Sequence, residues 1–192
     1  MQVYLVDFIY FVSCLIYRAT QFADGQEDDD YVLNFDSALY VCGDEQSATY
    51  FGTSQVEVTR FNETNAYMFG AIGFLEGLRV NTLVEIFVEK ESSGRYEMVM
   101  SHEICNLCDE LDREEGKYYK CLKNFDFPKK CPLRPGDYSI NNFVLDTEYL
   151  PVNKGTAGRY QVTQFYSSTE SNCIGAKTFV GCLKVDLVIE PK

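Results

Sequence analysis

Near the C-terminus Leu183, Val185, Leu187 and Ile189 alternate with Lys184, Asp186 and Glu190. A period of two sends successive side chains to opposite faces, so this pattern suits an extended strand with one buried face. The same alternation recurs in Val84, Ile86 and Val88 against Glu85 and Glu89, and in Val56 and Val58 against Glu57 and Thr59. Shorter strand candidates are Tyr31–Asp36, Tyr67–Leu75, Arg95–Met100, Tyr138–Leu145 and Arg159–Tyr166, with Gly94, Pro135-Gly136, Gly155 and Gly158 as turn residues between them. Only Glu103–Glu115 carries a helical spacing, through Ile104, Leu107 and Leu111. No repeat, linker or low-complexity tract divides the chain. About eight strands at this spacing predict an all-β, two-sheet sandwich in a single domain over residues 31–192.

The strand Tyr138–Leu145 breaks the rule in an informative way. Tyr138, Ile140, Phe143 and Leu145 do not share one parity, so a bulge near Asn141-Asn142 is expected. Ahead of it, Cys131-Pro132 and Pro135-Gly136 fix a rigid turn.

Composition narrows the function. Apolar residues make up 46% of the 192 residues, which excludes a disordered chain. The net charge of −12 argues against a nucleic-acid partner, because phosphate binding needs a basic face. Residues 1–25 contain an apolar run, Val3–Tyr17, followed by Ala23 and Gly25, and read as a secretory signal. A retained anchor or a buried helix is the competing reading. Asn62-Glu63-Thr64 is a glycosylation sequon that a secreted chain could use.

Loss of Cys14 with the signal leaves Cys42, Cys105, Cys108, Cys121, Cys131, Cys173 and Cys182. In an oxidising compartment these suggest three disulfides and one further thiol, and spacing alone leaves the pairing open. A zinc site on Cys105, Cys108, Cys121 and Cys131 is the rival reading.

Catalytic chemistry is sparse. His102 is the single histidine, and its neighbours Ser101 and Glu103 point to the other face of a strand. No phosphate loop or hydrolase motif is present, so a non-enzymatic protein without a cofactor is expected. Against the acidic background, Lys117, Lys120, Lys123, Lys129, Lys130 and Arg134 cluster among Tyr118, Tyr119, Phe125 and Phe127. The stretch is either a solvated loop or a surface for anionic headgroups, with Lys123, Lys129, Lys130 and Arg134 as candidate contacts.

Four stretches in order carry a resemblance. They are Leu83–Val99 (LVEIFVEKESSGRYEMV), Cys108–Asp112 (CDELD), Cys131–Pro151 (CPLRPGDYSINNFVLDTEYLP), and GRYQVTQFYSS followed by GCLKVDLVIE. Together they resemble the MD-2-related lipid-recognition (ML) family, most closely its ganglioside activator proteins. The chain has no Trp, and Val152-Asn153 stands where the activators carry a bulky membrane-touching group. The resemblance implies an immunoglobulin-like sandwich with an internal apolar lipid cavity. It implies bridges Cys42–Cys182 and Cys108–Cys131, and on it Cys105 goes with Cys121 while Cys173 stays unpaired.

It also implies a secreted or lysosomal lipid carrier that presents its ligand to a hydrolase or receptor and touches anionic membrane transiently. Sterol carriage and lipid sensing as a co-receptor subunit are the alternatives. The large apolar residues expected to meet lipid are Phe69, Phe74, Leu75, Phe87, Met98, Leu111, Phe125, Phe127, Tyr138, Phe143, Leu145 and Phe165. The stretches Phe69–Leu75 and Phe125–Phe127 are the candidate entrance.

Overall fold

The computed structural model describes residues 30–60, 65–113, 126–128, 131–146 and 152–192. Along the chain run β1 (Tyr31–Phe35), β2 (Tyr40–Val41), α1 (Glu45–Tyr50), β3 (Phe51–Arg60), β4 (Asn65–Phe74), β5 (Thr82–Ser92) and β6 (Arg95–Ile104). Then follow α2 (Leu107–Asp112), β7 (Gly136–Asp146), β8 (Gly158–Ser168) and β9 (Thr178–Pro191). Two antiparallel sheets result, β1-β9-β8-β5-β6 with β2 beside β9, and β3-β4-β7. The architecture is an all-β sandwich. Val84, Ile86 and Val88 of β5 and Leu183, Val185, Leu187 and Ile189 of β9 are buried in the shared core, as their alternation requires.

Bulges let strands of mixed parity keep one face inward. On β7 the register passes from Ile140↔Gly70 to Phe143↔Met68, so Asn141 and Asn142 together oppose one residue of β4. Tyr138, Ile140 and Phe143 therefore all reach the core, as the sequence suggested. A second irregularity between Ser54 and Glu57 brings Phe51, Val56 and Val58 to the same side of β3.

The helices depart from expectation. Residues Ser101–Ile104 pair with β5, so α2 starts later than Glu103, where the Asn106 side chain accepts from the Cys108 N–H (3.1 Å). Six-residue α1 has too few turns to show a period. It begins at Asp44, whose carboxylate accepts from the Ser47 N–H (2.7 Å) and Ser47 hydroxyl (2.6 Å). The Ser47 hydroxyl holds the Asp44 carboxyl below the ordinary carboxylate value.

Three disulfides staple the sandwich among the described residues. Cys42–Cys182 ties the β2–α1 connection to β9, with Cα atoms 5.5 Å apart, and Cys108–Cys131 ties α2 to the turn before β7 (5.6 Å). The third is Cys105–Cys173, Cα atoms 5.0 Å apart, in place of the expected Cys105–Cys121 with an unpaired Cys173. The reason lies in the ladder. β5 pairs with both β6 and β8, which brings the end of β6 to the same end of the sheet as the β8–β9 connection. There the Asn106 amide also donates to the Asn172 side-chain carbonyl (2.9 Å). Cys121 lies outside the described residues.

The Ser47 hydroxyl also accepts the backbone N–H of Cys182 (2.8 Å) in a buried bond, linking the helix cap to the disulfide and its strand. Ser47→Ala leaves that N–H without this acceptor, and an unmet buried donor costs about 1–3 kcal/mol. A urea midpoint lowered accordingly, with unchanged m-value, is the expected result.

Candidate lipid-binding site

The two sheets are pinned along one edge. Gly181 of β9 lies so close to β3 that an added Cβ would sit 2.8 Å from Phe51 Cε2 and 2.9 Å from Ser47 Cα. Farther along β3, Arg60 Nη2 donates to the Leu33 carbonyl of β1 (2.9 Å). The strand order then carries β4 and β7 toward the β5–β6 flank.

The ends of the sandwich differ. At the end carrying α1, α2 and the Cys131 turn, Phe74 packs against Phe51, Phe127 and Tyr138 with centroids 5.6, 5.9 and 5.6 Å away. Leu78, Leu107, Leu111 and Leu133 close that end. At the opposite end Val58, Met68, Met100 and Tyr160 of the strands, with Val152 and Ala157 of the β7–β8 connection, pack against the core yet stay half-buried. This is apolar surface that packs against the core on one side and stays partly wet on the other. An alkyl chain laid against it would gain burial at about 25 cal/mol per Å².

The expected lipid-contacting residues divide accordingly. Phe74, Leu111 and Phe143 are buried core, and Phe127 and Tyr138 pack on Phe74 while themselves half-buried, the Tyr138 hydroxyl donating to the Arg134 carbonyl (2.7 Å). Five others turn away from the core. Leu75 is 53% exposed just past β4, and Met98 is 62% exposed on β6. Phe87 and Phe165 lie on the outer face of the larger sheet, where Phe87 meets Phe165 edge-on (centroids 5.6 Å) and Phe165 in turn meets Phe179 at a tilt (6.3 Å). The cause is alternation itself, since Val84, Ile86 and Val88 own the inner face of β5 and Val162 and Tyr166 that of β8. Phe69 likewise alternates with the inward Met68.

Leu145 pairs with Ala66, and its side chain lies outside the described residues, as do Phe125, Asn62, Lys123, Lys129 and Lys130. Arg134 is exposed. The half-buried residues of the open end were not singled out from sequence. Val58 lay in a visible alternation, but Met68 and Met100 become inward residues only once strand register is known.

Cys105 and Cys108 belong to two different disulfides, which separates the thiols of the metal reading. His102 sits opposite Ile86 on β6, while Ser101 and Glu103 take the other parity. On the outer face, Tyr40 donates to Asp186 (2.9 Å), which also accepts from the Gln161 amide (3.0 Å). Burial and this acid push the Tyr40 phenol up to about 12.

Residues 83–162 match the family model described as Protein of unknown function (DUF1091). That family is grouped in the MD-2-related lipid-recognition clan. No curated protein matches the chain. The DUF1091 match runs from β5 into β8 and includes much of the open end: Met100, Val152, Ala157 and Tyr160. The pinned edge, with Phe51, Gly181 and the Cys42–Cys182 bridge, lies outside it.

The open end has one charged inward group on β5. Lys90 continues the inward series Val84, Ile86, Val88, and its ammonium lies 5.4 Å from the Tyr160 ring centroid. The Tyr160 hydroxyl donates to the Thr156 carbonyl, and burial raises its phenol above the ordinary value. Beside it the Asn153 side chain accepts from the N–H groups of Gly155 (2.8 Å) and Thr156 (3.2 Å), bracing the turn.

Proposed function

We propose that this chain is a non-enzymatic carrier of lipids with acyl chains, holding the tails between its sheets and presenting the lipid to a hydrolase or receptor. The single observation that supports it is the half-buried apolar surface at one end of a sandwich pinned where β3 meets β9 and β1. The grouping of the matched family with lipid-recognition proteins points the same way. Three disulfides agree with a secreted or lysosomal setting.

The energetics define the task. A tail of about 16 carbons gains on the order of 12 kcal/mol on leaving water for an apolar site, at ~0.8 kcal/mol per methylene. Moving from a bilayer it gains almost nothing, so such a protein exchanges lipid with membranes. Arg134, exposed at the packed end and away from the open one, would attract anionic headgroups only as a docking contact separate from the tail site, and the lysines at 123, 129 and 130 would add charge.

Native mass spectrometry of the chain purified from a secreting host tests the reading. Mass increments of acyl lipid, lost on organic extraction, are expected. Sterol alone in the extract would replace acyl lipid with a ring ligand. A bare mass that persists after incubation with liposomes would overturn the carrier.

A further inference from the structure

We infer that Lys90 is a headgroup receptor, and that the ligand is an anionic amphiphile with a carboxylate or phosphate head beside the open end. The inference rests on the lipid-carrier reading and adds the charge of the ligand. Lys90 follows Val88 on the core-facing side of β5 and is half-buried, with its ammonium over the Tyr160 ring, in a chain of net charge −12. Among the described residues it makes no ion pair. Its cross-strand neighbour Glu97 is directly opposite in the ladder, yet the ammonium stands over the Tyr160 ring instead.

The backbone is shaped around this side chain. Gly158 also faces inward, opposite Ile189, and a Cβ there would lie 2.9 Å from Lys90 Cε and 3.6 Å from Nζ. With φ at +139°, Gly158 holds a conformation that other residues rarely adopt. The absent side chain is what gives the lysine stem its bed. The ring fixes the ammonium without neutralising it, since a cation over an aromatic face keeps its full charge. An alkyl tail lying on Met68, Met100 and Val152 would then end near a positive charge already held in place.

The test compares tails of equal length and different heads on the purified protein, by displacement of a fluorescent fatty acid. Palmitate and lysophosphatidate are the anionic probes, and hexadecanol and monopalmitoylglycerol the neutral ones. Inorganic phosphate tests for a site that needs no tail. Lys90→Met is expected to weaken both anionic probes about tenfold, the worth of one charge-assisted hydrogen bond, and to leave the neutral ones within twofold. Lys90→Arg should retain anionic binding, and Glu97→Gln should tighten it. Palmitate weakened without lysophosphatidate would assign a carboxylate, and the reverse a phosphate.

Equal effects of Lys90→Met on charged and neutral probes, or none on either, would overturn the assignment while leaving the carrier intact. Displacement by phosphate alone would overturn it too. Failure of the unaltered protein to bind any tail would remove the carrier and this inference together. A thermal midpoint for each variant within about 2 °C of the parent separates lost recognition from lost fold.

Discussion

Phe74→Ala is expected to destabilise the domain by about 3–5 kcal/mol, the range for removing a fully buried aromatic side chain. Phe74 is 2% exposed and touches the rings of Phe51, Phe127 and Tyr138, which come from three different segments. Taking it away empties the junction where β3, the Phe127 turn and β7 converge. Met68→Ala, at the open end, provides the contrast. Its side chain is only half-buried, so a loss of about 1 kcal/mol or less is expected, well under the 2–5 of a buried Met. Urea midpoints for the two variants check both numbers. A Met68 loss as large as that of Phe74 would mean that the two ends are equally packed, and the open-end description would fall.

Replacing Cys42 and Cys182 together by Ala is expected to cost about 4–5 kcal/mol. The bridge closes a separation of 140 residues, and loop entropy grows with that length. Set against a typical total of about 5–15 kcal/mol, the loss brings the domain close to unfolding at body temperature. The same pair anchors the pinned edge, where Ser47 bonds to Cys182 and Phe51 lies on Gly181. Removing Cys108–Cys131, which spans 23 residues, is expected to cost about 3 kcal/mol. Thermal and urea denaturation of the two double variants measures the order. A larger loss for the shorter loop would show that local packing outweighs chain entropy here.

Much of the framework was legible because burial writes itself into alternation. β5 and β9 were plain from Val84–Val88 and Leu183–Ile189, and the broken parity of Tyr138, Ile140 and Phe143 located the bulge at Asn141-Asn142. The same alternation, followed strictly, places Phe87 and Phe165 outside. Their size suits them to an apolar partner, but the inward neighbours Ile86, Val88 and Tyr166 take the core face. Size says that a side chain wants cover; parity says which side of the sheet gives it. Helix α1 stayed hidden because its determinant is the Asp44–Ser47 cap, which carries no period.

The residues alone determined that this chain folds as β-strands, which face of each long strand is apolar, and where one strand must bulge. These are local properties, decided within a few residues by the two-residue repeat of an extended backbone. Which strands became neighbours was decided only in three dimensions. That β5 pairs with both β6 and β8 set Cys105 against Cys173, and no spacing between cysteines encodes this. Tertiary packing likewise closed one end around Phe74 and left Met68, Met100 and Tyr160 half-covered at the other, with Lys90 beside them. Burial depends on what the opposite sheet brings to each position, and residues distant along the chain supply that cover.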